Sequence, residues 1–157
     1  MRAPRIMRHA GIQPGRPSGF TAIELLVAVS IVLILVAVAL ASYQEHMVRK
    51  TRAQARSALL EAAAALRLQH ARTGSYAIAA LPVAQVPLDG DAVYRIGLAK
   101  SPLTADDPKA AFPASSGQAF TLKAEPVESD GCGTLLLDQA GRFGVVGGKL
   151  AGCWGKN

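Results

Sequence analysis

The chain has 157 residues, half of them apolar, 5% aromatic and 18% charged. That length bounds it to about one domain, and that apolar content excludes a chain disordered throughout. Two cysteines exclude a disulfide-dense scaffold and a four-cysteine zinc site. The net charge of +6 is unevenly placed. Residues 1–19 hold Arg2, Arg5, Arg8 and Arg16 without an acid, residues 20–72 are also basic, and residues 73–157 hold one more acid than base. A basic leader ahead of an apolar run is a topology signal, because positive charge stays cytoplasmic.

Phe20 to Tyr43 is a run of 24 residues with one charge, Glu24. At 1.5 Å per residue it spans roughly 36 Å, enough for a bilayer core of about 30 Å. No other stretch is as long and apolar, which excludes a polytopic membrane protein. No Gly or Pro interrupts the chain between Phe20 and Thr73, and residues 44–72 are rich in helix formers. Val48, Ala55, Leu59, Ala62 and Leu66 make an apolar stripe, with Arg49, Arg52, Arg56 and Arg67 mostly off it. Thr73-Gly74-Ser75 supplies the stop, Gly74 being a natural left-handed cap. One helix of about 53 residues is predicted, apolar all round in its first half and one-sided in its second.

Residues 75–91, with Pro82, Pro87 and Asp89-Gly90-Asp91, read as a connecting loop. Strands are predicted at Ala92–Ala99, Ala119–Glu125, Gly133–Asp138 and Arg142–Val146, with turn residues at Ser101-Pro102, Asp106–Pro108, Ser115–Gly117 and Ser129–Gly131. Short antiparallel strands that need a cover suit a helix with one apolar face, which gives an α+β class. The expected segments are therefore a leader at 1–19, a membrane half-helix at 20–43, an amphipathic half-helix at 44–74 and a sheet head at 75–157.

A carboxylate in the first turns of a membrane helix is costly, about 3 kcal/mol on insertion scales. Glu24 therefore reads either as an interfacial residue favoured by the helix dipole or as an intramembrane pairing site. Gly19-Phe20-Thr21-Ala22-Ile23-Glu24-Leu25-Leu26-Val27 resembles the class III signal sequence of type IV pilins and pseudopilins. The likeness extends through Ser42-Tyr43-Gln44 and Thr73-Gly74-Ser75-Tyr76 to Cys132-Gly133-Thr134-Leu135 and Cys153-Trp154, similar to PilE-type pilins of type IVa systems. The resemblance implies a long helix packed on a small antiparallel sheet. It implies cleavage by a prepilin peptidase between Gly19 and Phe20, N-methylation of Phe20, and a Glu24 that meets the N-terminal amine of a neighbouring subunit. It implies a single-pass inner-membrane protein with a periplasmic head, which an assembly platform passes into an extracellular filament of pilin subunits. Such filaments serve adhesion, twitching motility or DNA uptake, and the resemblance implies a structural subunit of one, in the role of a minor pilin.

Leu33 and Ala41 stand where many type IVa pilins have Gly and Pro. The exchange favours an unbroken helix by about 4 kcal/mol. Ala22 stands where the family usually has Leu. Export would put Cys132 and Cys153 in an oxidising compartment, where a bridge is expected; in the family it bounds the D-region. Free buried thiols, or half of a metal site, are the alternatives for that pair.

Two other functions fit parts of the pattern. A pseudopilin of a type II secretion system would share the first 50 residues or so. Ala39-Leu40-Ala41 also resembles a secretory cleavage site, which would release a soluble periplasmic domain at Ser42. The basic helix face of Arg49, Lys50, Arg52, Arg56, Arg67 and Arg72 offers DNA a surface, though a solvated face is the simpler reading. His9, His46 and His70 have no ligand spacing to the cysteines, so no metal or other cofactor is expected. No nucleophile–base or paired-carboxylate set has positional support, so a structural subunit is expected rather than an enzyme.

Overall fold

The structure, a computed structural model, describes residues 19–77 and 80–155 and, of residues 41 and 42, the backbone alone. The leader expected over residues 1–18 lies outside it. Helix α1 runs Ala22–Thr73. It ends where Gly74 takes a φ of +70° and donates its N–H to the His70 carbonyl at 2.8 Å, so the left-handed cap is in place. The chain divides into two compact units that meet within α1, residues 1–41 and 42–157.

In the first unit α1 exposes its apolar residues all round: Leu25, Leu26, Ile31, Leu33, Leu35 and Leu40 are each more than half exposed. This is the single described stretch long and apolar enough to cross a membrane. A helix without a polar face cannot be a stable surface helix in water, so this one needs lipid or other protein around it.

In the second unit seven strands follow: β1 Gln85–Val86, β2 Tyr94–Leu98, β3 Leu103–Asp106, β4 Lys109–Phe112, β5 Thr121–Pro126, β6 Thr134–Asp138 and β7 Phe143–Val146. A short helix α2, Leu150–Cys153, closes the order. Five strands form an antiparallel sheet in the order β1-β2-β5-β6-β7, and β3 and β4 pair separately as a hairpin.

The helix face under the sheet is Ala55, Ala58, Leu59, Ala62, Ala63 and Leu66, all buried. Four alanines among the six positions make this face of the helix flat. Tyr94, Ile96, Leu122, Ala124, Leu135, Leu137 and Val145 complete this core from the strands. Val48, expected on the same stripe, is 39% exposed, because the packed face begins only at Ala55.

The sheet is covered on its other side as well. Leu136 points away from α1 and packs with Ala105 and Phe112 of the β3–β4 hairpin. Neither that hairpin nor β1 was expected: Asp106–Pro108 reads as a bare turn, and Gln85–Val86 lies in the stretch read as a loop. Gly144 makes the hairpin's approach possible. A Cβ built there would stand 2.6 Å from the Phe112 ring and 2.9 Å from the Ala105 Cβ. Gly144→Ala should therefore displace the hairpin and destabilise the second unit by about 1–3 kcal/mol. Denaturant unfolding checks this, and an unchanged midpoint would refute it.

Candidate functional site

At the start of α1, Thr21 Oγ1 accepts the Glu24 N–H at 3.3 Å, and the Thr21 carbonyl accepts the Leu25 N–H at 3.1 Å. Thr21-Ala22-Ile23-Glu24 is a capping-box spacing, a signal that reading Glu24 purely as a pairing site passes over. The cap occupies the Glu24 backbone but not its carboxylate. Among the described residues no cation lies within 4.0 Å of that carboxylate. Glu24 sits in an open groove of about 440 Å³ with Phe20, Ile23, Val27, Ala28 and Ile31. The arrangement is one acid set in an apolar surface, beside the residue expected to become the new N-terminus.

In the second unit Cys132 and Cys153 are joined by a disulfide, with their Cα atoms 5.6 Å apart. The loop they close is fixed at its base by Asp130. One carboxylate oxygen of Asp130 accepts the backbone N–H groups of Cys132 and Gly133, at 2.9 and 3.2 Å. The other accepts Nε of Arg52 at 3.0 Å and the hydroxyl of Tyr94. Arg52 also donates to the Asp130 carbonyl at 2.7 Å. One side chain thus ties helix, sheet and disulfide loop together. Burial alone would raise the Asp130 carboxyl, but the hydrogen bonds from Tyr94, the Cys132 N–H and Arg52 outweigh it and hold it below the usual carboxylate range. Burial, and then the bond to Asp130, push the Tyr94 phenol well above its ordinary value.

Three of the cations expected along the basic face of α1 are already engaged. Arg49 pairs with Glu45, Arg52 is spent on Asp130, and Arg67 donates to the Gln139 carbonyl at 3.4 Å. Arg56 lines a cleft beside the disulfide loop. A different basic site lies on the strands. Lys100 and Lys123 line an open cleft of about 580 Å³ with Ser101 and Ser115, at the connection that leads from β2 into β3. Gly97 stands opposite Lys123 in the sheet register, so no side chain from β2 fills that position. Lys123 Nζ lies 2.7 Å from Glu125, while Lys100 has no carboxylate within 4.0 Å among the described residues. Sequence reasoning missed this pair because its members are 23 residues apart and meet only through strand pairing.

The family model described as "Type IV minor pilin ComP, DNA uptake sequence receptor" matches residues 41–136, more than half of the chain. No curated protein matches. Among solved structures, the chain is similar to the Neisseria meningitidis non-core minor pilin PilV. The two share 18% identity over 66% of this chain and 90% of that one, at a TM-score of 0.42.

The Asp130 cluster predicts an acid response. Its folded-state value lies below its unfolded one, so its stabilisation is complete above about pH 4 and is lost as pH falls through the folded value. Asp130→Asn should cost about 2 kcal/mol at neutral pH and flatten the acid loss of stability. Thermal melts of both proteins across pH 2–7 check it, and parallel curves would refute it.

Proposed function

Because the chain belongs to the ComP family of type IV minor pilins, we propose that its second unit is a DNA receptor carried by the pilus. As a minor pilin the chain assembles with other pilins in a type IV pilus. The observation that carries the DNA reading is the Lys100–Lys123 cleft, together with the words of the family description. The Lys100 ammonium, the Lys123 ammonium shared with Glu125 and the Ser101 hydroxyl at an open cleft suit the phosphates of a duplex, whose binding is driven largely by counterion release, while the Ser115 hydroxyl is spent on Thr121. Arg95 is exposed two residues along β2 from Gly97, and adds a further cation to that side.

We infer the maturation route from the resemblance of residues 19–27 to a class III signal sequence. A prepilin peptidase removes residues 1–19, and the new amine of Phe20 is methylated. The subunit then waits in the inner membrane with one span and its second unit in the periplasm, until an assembly platform passes it into the filament. The carboxylate of Glu24, which has no cation partner among the described residues, supports this reading, since an acid in an apolar groove is costly until a cation meets it. The N-terminal amine of a neighbouring pilin is that cation. A one-residue slip leaves both charges unpaired, so the pair sets the register of assembly.

Glu24→Ala should leave membrane insertion intact, because it removes a charge that insertion opposes. Its recovery in sheared pili should fall by tenfold or so, as the neighbour's amine loses its partner. Equal recovery would refute the pairing. For DNA, residues 42–157 should bind a short fluorescent duplex with a strong salt dependence. Lys100→Ala and Lys123→Ala should each lower the slope of log affinity against log salt by about 0.9. A wild-type unit that does not bind duplex refutes the receptor role, and variants that bind like the wild type refute this cleft as the contact.

A further inference from the structure

Two surfaces on opposite flanks of α1 complement each other. On one flank, a cleft of about 760 Å³ is walled by Leu60, Phe143, Leu150 and Trp154. Trp154 donates Nε1–H to the Gly144 carbonyl at 3.1 Å and packs its ring 4.4 Å from Phe143. Its polar edge is therefore spent, and the wall offers aromatic surface. Asp107 also lines the cleft, where one of its carboxylate oxygens accepts the Leu150 N–H at 2.6 Å and holds the acid against the start of α2. Arg56 is the cleft's cation, and among the described residues no carboxylate, that of Asp107 included, lies within 4.0 Å of it.

On the other flank stands the turn Pro87-Leu88-Asp89-Gly90. Leu88 is 71% exposed. Asp89 is exposed beside it, with no cation within 4.0 Å among the described residues. The turn is braced from within, since Gln85 Nε2 donates to the carbonyls of Pro87 and Gly90 at 3.4 and 3.1 Å. A braced turn loses little freedom when it docks. It presents one aliphatic side chain and one carboxylate; the cleft presents an apolar wall, one guanidinium without an acid partner, and the Asp107 carboxylate held by the Leu150 N–H.

We propose that the cleft of Arg56 and Trp154 receives the Leu88–Asp89 turn of a second copy of this chain. Leu88 enters between Leu60, Leu150 and the aromatic pair, and Asp89 meets Arg56. The cleft and the turn's own flank share only Ala53 and Ser57 of α1, so each copy offers a socket on one side and a knob on the other. Such a contact is head-to-tail, which extends a row of subunits instead of closing a two-fold dimer.

The test uses the full chain in membranes with its native disulfide intact. One tagged copy carries Asp91→Cys, at an exposed position beside the turn, and a second carries Ala151→Cys, at an exposed position on the cleft rim. A short bis-maleimide should join the two copies. Arg56→Asp in the second copy should cut the yield by about tenfold, and Asp89→Arg in the first should restore it. Three results overturn the proposal. One is no coupling of Asp91→Cys to Ala151→Cys, or equal coupling of Asp91→Cys with itself. Another is coupling of Ala151→Cys to Leu35→Cys in preference, which would assign the cleft to an apolar half-helix. The last is failure of the charge exchange to restore coupling.

Discussion

The second unit depends on the apolar contact between its sheet and one flat face of α1. Ala55, Ala58, Ala62 and Ala63 give the helix a face with almost no side-chain height, and Leu59 and Leu66 fill the gaps between strands. A large residue at any of those alanines would lift the sheet and open the core. Asp130 then fixes the lateral position, because its carboxylate bonds to Arg52 of the helix, Tyr94 of the sheet and the first residues of the disulfide loop. Stacking and lateral anchoring are thus separate devices, one apolar and one polar. The polar one is the more exposed to acid.

Much of this was legible in the sequence because it is local. A run without Gly or Pro and a Thr-Gly stop gave the helix within two residues at each end. Alternation and turn residues gave four of the strands. The β3–β4 hairpin was not legible, since each of its strands has four residues and its apolar partner, Leu136, sits in a run of three leucines. The run does not say that Leu135 and Leu137 face the helix while Leu136 faces the hairpin. Arg52 read as one cation among several on a solvated face. Its partner is 78 residues away, so only the fold brings the two together. The Lys100–Lys123 cleft escaped notice for the same reason.

The two units of this minor pilin carry different features. The first carries a membrane-length apolar helix and one acid, Glu24. The second carries the sheet, the disulfide loop and an open cleft lined by two lysines. The helix joins them as a single element, Ala22–Thr73.

The central claim is that this chain matures as a pilin and enters a filament. Intact-mass analysis of the chain in sheared surface filaments tests it most directly. The account predicts a filament-associated species that begins at Phe20, carries one methyl group on its amine and retains the bridge between Cys132 and Cys153. A chain absent from filaments and found instead as a soluble product that begins at Ser42 would contradict it.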